Sequence, residues 1–270
     1  MNSNKERLVK AGDIDIAYNE FGRGYPLIMI MGYSGEKEFW SELLIKELSE
    51  LYRVIIFDNR GIGGSTSSEK EFTVELFAED TKNFIDALGI DKANILGWSM
   101  GTYIAQELTL RYPDKVNKMI LVSASCGGEE SIETSKDVLG KLTDTSGTLQ
   151  EIGERFIKLL FPPEFLKSQA DMNWIYSNIK REPQLENIQK QGEALGKWKG
   201  DCDRLRNIKK PVLLITGNED IIIPPQNSFV ICNKIPCSWL IQFKYGGHGL
   251  MFQYPKRLSD TIKLFLEDYN

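Results

Sequence analysis

The sequence has little of what metal sites, disulfide frameworks and membrane spans require. One histidine in 270 residues excludes a histidine-rich metal site. The four cysteines are widely separated and include no Cys-x-x-Cys pair, so we expect free thiols in a reducing compartment. No apolar run approaches the roughly 18 residues of a membrane helix, and the first ten residues contain no apolar signal region. These absences predict a cytoplasmic protein.

Positive charge is also scarce relative to negative charge. The 33 Lys and Arg residues against 38 Asp and Glu residues give a formal net charge of −5, whereas nucleic-acid binders usually carry a basic face. With 41% hydrophobic and 26% charged residues, the composition is that of an ordinary globular protein. We therefore expect neither a nucleic acid nor a membrane as partner, and the sequence leaves the oligomeric state open.

Short apolar runs alternate with segments of helical periodicity. Runs such as 26–31 and 212–216 are uniformly apolar, which is typical of parallel strands covered on both faces. The segment 74–88 repeats apolar residues at helical spacing. The alternation predicts an α/β fold with a doubly wound, mostly parallel sheet and helices on both faces. The predicted strands are 7–11, 14–20, 26–31, 53–57, 93–96, 118–122, 212–216 and 238–243.

One long segment interrupts the alternation. Residues 127–207 contain no strand-like run, and helical pieces at 152–161 and 174–181 are separated by prolines. Since a long structureless loop is unusual in a compact domain, we expect a helical cap over 127–207. The core domain would then comprise 1–126 and 208–270. Such a cap would cover the carboxyl ends of the strands, where open α/β sheets bind ligands.

The clearest chemical pattern is Gly97-Trp98-Ser99-Met100-Gly101, between a predicted strand and a predicted helix. A serine on a tight strand-to-helix turn needs small residues two positions away on both sides, because the backbone passes closely there. The helix N-terminus favours the negative charge that develops in acyl transfer. Ser99 is therefore the predicted nucleophile. A glycine-rich turn without a catalytic role is the alternative.

A serine nucleophile needs a base, and His248 is the only histidine available. It follows the last predicted strand and has glycines on both sides, although it could instead be an exposed loop histidine. Asp220 follows the strand 212–216 and would orient the imidazole. The order Ser99, Asp220, His248 is the order of the triad in α/β hydrolases. Glu219 is the rival acid, and a helix-capping or turn role is the alternative for Asp220.

A further motif extends the pattern beyond the serine turn. The sequence Asp58-Asn59-Arg60-Gly61-Ile62-Gly63-Gly64-Ser65 is similar to an Asp-x-Arg-Gly-x-Gly-x-Ser loop, and with the serine turn the chain resembles the α/β-hydrolase family over nearly its whole length. The resemblance implies an eight-stranded sheet with an antiparallel second strand and a cap inserted after the sixth strand. We expect Arg60 and its glycines to form a structural turn near the oxyanion loop. A dinucleotide fingerprint is excluded, because Thr66 stands where a third glycine is needed.

The oxyanion loop departs from the family pattern. Many members carry His-Gly after the third strand, whereas this chain has Met31-Gly32. The resemblance implies that the backbone N–H groups of Tyr33 and Met100 form the oxyanion hole. Assistance from the side chains of Tyr33 or Ser34 is left open, and an ordinary turn is the alternative.

Aromatic residues near the serine and in the cap are weaker candidates. Trp98 and Trp174 are predicted to line a pocket for an apolar acyl or aromatic group, with plain packing as the alternative. Cys126, after the sixth predicted strand, is expected to be a buried thiol.

Together these residues predict a serine hydrolase that cleaves a small carboxylic ester, thioester or lactone through an acyl-enzyme on Ser99. No metal or cofactor is expected. A serine at this position argues against dehalogenase and epoxide-hydrolase chemistry, which use a carboxylate nucleophile. Hydrolysis of a carbon–carbon bond, cofactor-free perhydrolysis and a non-catalytic ligand-binding role remain open on the same scaffold.

Overall fold

A computed structural model describes residues 5–144, 146–169, 172, 175 and 181–268. Its centre is an eight-stranded sheet in the order β1-β2-β4-β3-β5-β6-β7-β8. Strand β2 is antiparallel to both neighbours, and β3 to β8 run parallel. The strands are β1 Arg7–Ala11, β2 Ile14–Phe21, β3 Tyr25–Ile30, β4 Tyr52–Phe57, β5 Ala93–Trp98, β6 Val116–Val122, β7 Val212–Gly217 and β8 Ser238–Phe243. The predicted fold class is confirmed.

The strands form where the sequence has uninterrupted apolar runs. Every residue of β5 and of β7 is buried, because helices cover both faces of the sheet. The helices are α1 Glu42–Leu48, α2 Val74–Ala87, α3 Met100–Arg111, α4 Lys136–Thr143, α5 Leu149–Leu160, α6 Pro163–Lys167, α7 Leu185–Lys197, α8 Gln226–Lys234, α9 Leu250–Gln253 and α10 Pro255–Asp268. Helices α2, α3 and α8 pack on one face, and α1 and α10 on the other.

Helix α2 shows how local signals set these boundaries. Thr73 accepts a hydrogen bond at its hydroxyl from the Leu76 N–H (3.0 Å), which satisfies one of the free amides at the start of the helix. The helix ends before Gly89, whose φ of +65° is incompatible with a right-handed helix. The sequence prediction of a helix over 74–88 agrees with these bounds.

The described residues between β6 and β7 contain helices α4 to α7 and no strand. The two ends of this segment lie side by side, since a Cβ added to Gly200 would be 2.5 Å from the Gly127 carbonyl carbon. The helix predicted over 174–181 lies outside the described residues, apart from Ile175 and Arg181. Helix α7 is absent from the sequence prediction. The division into core and cap stays a prediction.

A disulfide joins Cys126 and Cys202 beside this close approach. The Asp201 N–H also donates to the Cys126 carbonyl oxygen (2.8 Å). The expectation of four free thiols is therefore wrong for this pair, and Cys126 is not a buried thiol. Since the partners are separated by 76 positions in sequence, their spacing carried no pairing signal. Within the described residues, Cys232 and Cys237 form no disulfide.

Candidate active site

Ser99 lies on a strained turn between β5 and α3. Its φ is +55°, a region that residues with a side chain rarely adopt. A Cβ on Gly97 would lie 2.3 Å from the Gly101 carbonyl oxygen, and one on Gly101 would lie 2.1 Å from the Ile30 oxygen. Neither position can accept a side chain, so the two glycines of the sequence motif allow the turn that presents the serine.

His248 and Asp220 form a buried pair. The distance from His248 Nδ1 to Asp220 Oδ2 is 2.8 Å, and to Oδ1 it is 3.1 Å. The two residues are only 2% and 4% exposed. A carboxylate that accepts at Nδ1 holds the proton on that nitrogen, which leaves Nε2 as the basic nitrogen.

The loop after β7 fixes the orientation of the Asp220 carboxylate. Its Oδ1 accepts hydrogen bonds from the N–H groups of Ile222 (3.0 Å) and Ile223 (2.9 Å). Asp220 thus shapes its own turn and contacts the imidazole at the same time. In the described part of the chain, the half-buried Glu219 makes no hydrogen bond to His248.

Trp98 contacts His248 through a hydrogen bond and through its ring. Its Nε1 donates to the His248 carbonyl oxygen (3.0 Å), and the ring centroids are 5.1 Å apart. The indole is 3% exposed and stacks on Phe39. The polar atom of Trp98 is therefore used by the histidine loop, and its predicted place in a substrate pocket stays a prediction. Trp174 lies outside the described residues.

The glycines around His248 allow close contact with the end of α5. A Cβ on Gly247 would lie 2.6 Å from the Leu160 carbonyl oxygen, and one on Gly249 would lie 2.5 Å from the Phe161 ring. The Gly249 N–H donates to the same Leu160 oxygen (2.9 Å). The helical segment after β6 thus packs directly against the loop that carries the base.

The predicted oxyanion loop passes beside the nucleophile. The Gly35 N–H donates to the Gly32 carbonyl oxygen (3.3 Å) and closes a turn, and a Cβ on Gly32 would lie 3.1 Å from Ser99 Cβ. Among the described residues, the backbone N–H groups of Tyr33 and Met100 donate to no other group of the chain. Two unused donors next to a serine can stabilise an oxyanion.

Helix α7 contacts this loop through a residue that the sequence analysis misses. The Ser34 N–H donates to Gln191 Oε1 (3.0 Å), and Gln191 is fully buried. The missed signals were helix-forming residues over 185–197, with Pro183 just before them.

The Asp58 loop lies next to the oxyanion loop and has the structural role expected of it. Asp58 accepts from the backbone N–H of Lys37 (2.7 Å) and from its Nζ (2.9 Å). Asn59 Nδ2 donates to the Met31 carbonyl oxygen (3.1 Å). Arg60 is buried and pairs with Asp80 through two hydrogen bonds of 2.7 and 2.6 Å.

Glu36 follows the turn directly and is 7% exposed. Burial, together with the negative charges of Asp58 and Glu38, raises the pKa of its carboxyl to about 7. Its Oε2 has no hydrogen-bond partner among the described residues. Glu36 therefore titrates near neutral pH at the edge of the oxyanion loop.

The described residues contain no helix that is both long and apolar enough to cross a membrane. In the same part of the chain, no three or more His, Cys, Asp or Glu side chains are grouped as metal ligands.

The chain matches the family model of the alpha/beta hydrolase fold over residues 25–255. It is 28% identical over 267 residues to "Putative non-heme bromoperoxidase BpoC" of Mycobacterium tuberculosis, covering 93% of this chain and 97% of that protein. It is 25% identical over 268 residues to 2-hydroxy-6-oxo-6-(2'-aminophenyl)hexa-2,4-dienoic acid hydrolase of Metapseudomonas resinovorans, covering 97% of this chain and 90% of that protein.

Among solved structures, an alpha/beta hydrolase fold protein from Chitinophaga pinensis superposes with a TM-score of 0.87 at 26% identity. The superposition covers 99% of this chain and 98% of the other. The similarity therefore spans the helical segment as well as the sheet.

Proposed function

Because the chain belongs to the α/β-hydrolase family, we propose that it is a serine hydrolase that cleaves a small carboxylic ester, thioester or lactone. The observation that carries the proposal is the buried His248–Asp220 pair, tied through Trp98 to the turn that presents Ser99. Nucleophile, base and orienting acid are the groups that acyl transfer requires.

In the proposed mechanism, Ser99 Oγ attacks the substrate carbonyl carbon while His248 Nε2 takes the hydroxyl proton. Asp220 holds the imidazole in the required tautomer and stabilises its charged form. The Tyr33 and Met100 amides bind the oxyanion, a contribution of about 3 kcal/mol per donor. His248 returns the proton to the leaving group, and water then hydrolyses the acyl-enzyme with His248 again as base. Every step uses side chains and backbone of the chain itself.

We further propose that residues 127–207 form a cap over this site. The end of α5 packs on the histidine loop, and α7 contacts the oxyanion loop. Phe156 of α5 lies near Phe39, with ring centroids 6.0 Å apart, beside the Trp98 ring. These aromatic surroundings support a substrate with an apolar acyl or aromatic part.

The cellular location remains a prediction. Residue composition favours the cytoplasm as the default, whereas a disulfide such as Cys126–Cys202 is typical of oxidising compartments.

A carbon–carbon bond hydrolase is the second candidate. The relative from Metapseudomonas resinovorans is named for a 2-hydroxy-6-oxo-dienoic acid substrate, in which a ketone carbonyl takes the place of the ester carbonyl. The same serine, base and oxyanion donors can act on it. The mycobacterial relative's bromoperoxidase name likewise supports perhydrolysis, with hydrogen peroxide replacing water on the acyl-enzyme.

The first test is mass spectrometry of the intact protein after treatment with a fluorophosphonate, followed by peptide mapping. We expect one adduct on Ser99 and turnover of p-nitrophenyl esters with an optimum in acyl chain length. Ser99→Ala should abolish labelling and lower kcat by about 10⁴-fold to 10⁶-fold, whereas the exposed Ser168→Ala should change neither. A folded wild-type protein with neither label nor turnover would contradict the proposal. Turnover of a 6-oxo-dienoic acid but not of esters would favour the second candidate.

A further inference from the structure

Gln191 has an unusual position for a glutamine. It lies in the middle of α7 and is fully buried, and its Oε1 accepts a hydrogen bond from the Ser34 N–H (3.0 Å). Its Nε2 is also buried, and in the described part of the chain it has no hydrogen-bond partner. A buried amide with an unpaired donor costs free energy. Stability of the helix therefore does not explain the residue, whereas its contact with the loop of Ser34 does.

The Ser34 N–H, which donates to Gln191, belongs to the central peptide of the turn over residues 32–35. A hydrogen bond from the Gly35 N–H to the Gly32 oxygen closes this turn (3.3 Å), and Ser34, at its third position, has a φ of +58°. That conformation is the type II pattern, which normally uses glycine. A type I turn, which suits serine better, is reached when the peptide between Tyr33 and Ser34 flips. Because the flip would turn the Ser34 N–H away, its hydrogen bond to Gln191 holds the observed form.

The position of this turn matters for the proposed oxyanion hole. The Tyr33 Cα joins the flippable peptide to the preceding one, which carries the Tyr33 N–H. The preceding residue, Gly32, lies against Ser99, since its added Cβ would be 3.1 Å from Ser99 Cβ. The Tyr33 ring also lies on α7, because a Cβ on Gly192 would be 3.4 Å from Tyr33 Oη. Type I and type II turns share the φ of their second residue, so the flip alone leaves the direction of the Tyr33 N–H unchanged. A turn released from α7 can instead shift as a whole and move this donor relative to Ser99.

Helix α7 is fixed to the core at both ends, so it can act as a support. Near its start, Asn187 Nδ2 donates to the Gly61 carbonyl oxygen (2.8 Å). Just after its end, Trp198 Nε1 donates to Glu107 Oε1 (3.1 Å). Gln191 lies between these two attachments, and its acceptor oxygen is held in place by the docked helix.

We propose that Gln191 is a positioning residue, which anchors the turn over residues 32–35 to α7 and so keeps the Tyr33 N–H beside the oxyanion. The inference rests on the proposed function. Gln191 acts through the Ser34 N–H, and the helical segment after β6 thereby becomes part of the machinery that stabilises the transition state.

The test compares two variants of the full-length protein with p-nitrophenyl esters. Gln191→Met keeps the length of the side chain and removes the acceptor. Gln189→Met is the matched control, because Gln189 is exposed on the same helix and pairs with Glu193. We expect kcat to fall about 10-fold to 100-fold in Gln191→Met with KM changed less than about threefold. Gln189→Met should stay within about threefold of wild type in both constants.

Two readouts separate positioning from a merely structural role. The affinity for a trifluoromethyl ketone, which forms an oxyanion adduct with the serine, should fall by the same factor as kcat/KM in Gln191→Met. The affinity of Gln191→Met for the product carboxylate should stay at the wild-type value. Amide hydrogen exchange of Ser34, followed by NMR, should accelerate in Gln191→Met and stay protected in Gln189→Met. A structural role would lower the melting temperature without this split between the two ligands.

Normal kcat in Gln191→Met despite faster Ser34 exchange would overturn the inference, as would an equal loss of kcat in Gln189→Met and Gln191→Met. If the methionine variant does not fold, Gln191→Asn replaces it, because this shorter amide cannot reach the Ser34 N–H. Absence of a fluorophosphonate adduct on Ser99 in the wild type would instead refute the proposed function. The Ser34 exchange measurement would in that case still report on the contact itself.

Discussion

The indole N–H of Trp98 donates a hydrogen bond to the main-chain oxygen of His248 over 3.0 Å. Trp98 immediately precedes the predicted nucleophile Ser99. Trp98 and His248 are 150 positions apart in sequence. The bond therefore ties the Ser99 turn to the His248 loop. Since both groups are buried, the distance between Ser99 and His248 depends on packing within the core and not on a surface loop.

Replacing Trp98 by phenylalanine should lower kcat/KM for an activated ester about 10-fold, because the His248 carbonyl loses its donor while the aromatic packing is largely kept. Loss of one buried hydrogen bond should also reduce the free energy of unfolding by about 1–2 kcal/mol. Steady-state kinetics and urea unfolding measure the two effects. Trp40→Phe is the control, since the buried Trp40 Nε1 has no partner among the described residues. Equal loss of activity in both variants would contradict a specific role for the Trp98 bond.

Asp220→Asn should lower kcat by about 10³-fold to 10⁴-fold while the protein stays folded. The asparagine oxygen can still accept from the Ile222 and Ile223 N–H groups, which Asp220 Oδ1 does at 3.0 and 2.9 Å. Its amide would donate to His248 Nδ1 and stabilise the wrong tautomer. Kinetics on p-nitrophenyl esters, with circular dichroism for the fold, measure the change. Glu219→Gln should remain close to wild type, and the reverse ranking would transfer the role of the acid to Glu219.

Removing the disulfide with the double variant Cys126→Ala and Cys202→Ala should lower the free energy of unfolding by about 2–5 kcal/mol, because the bond restricts a long loop in the unfolded chain. The melting temperature should fall by about 5–15 °C, and reduction of the wild type should have a similar effect. Alkylation of the denatured protein, read by mass spectrometry, should modify all four cysteines only after reduction. Cys232→Ala is the control for loss of a thiol, and an unchanged melting temperature in the double variant would contradict the prediction.

The free energy of unfolding should decline as pH rises from about 4.5 to about 7 because of Glu36. The pKa of this carboxyl is raised from 4.5 to about 7 in the folded protein, so over that interval the folded state binds more protons than the unfolded state, and its stability falls as they are lost. Glu36→Gln should flatten the decline. Urea unfolding at intervals of half a pH unit measures it. Burial also raises the pKa of Asp201, so the difference between variant and wild type, rather than either curve alone, isolates Glu36. Parallel curves would contradict the prediction.

The sheet and the candidate catalytic residues could be read from the sequence because their signals are local. Strands such as β5 and β7 are buried on both faces, so each is a continuous apolar run. The glycines at 97 and 101 mark a turn with no space for side chains, and a single histidine leaves only one choice of base. Asp220 is distinguished from Glu219 only in three dimensions, since both follow β7.

Helix α7 and the disulfide escaped prediction for physical reasons. The buried positions of α7 are Gln191 and Ala194. Ile188 and Leu195 lie on the same face but are only half-buried, and the polar Gln191 between them interrupts the apolar pattern. Cys126 and Cys202 meet only because the helical segment returns to its starting point, which no spacing in the sequence indicates. The hydrogen bond from Trp98 to the His248 loop was likewise not predicted, because residue type does not show which distant group an indole N–H reaches.

The disulfide has a consequence for how the molecule can be altered. The Cα atoms of Cys126 and Cys202 are 5.0 Å apart, so the chain leaves the sheet and returns to it at nearly one point. The pairing of β6 with β7 therefore does not depend on the length of the segment between the two cysteines. A helical segment from another protein could be grafted at this junction while the sheet keeps its register, provided that the graft supplies an acceptor for the Ser34 N–H.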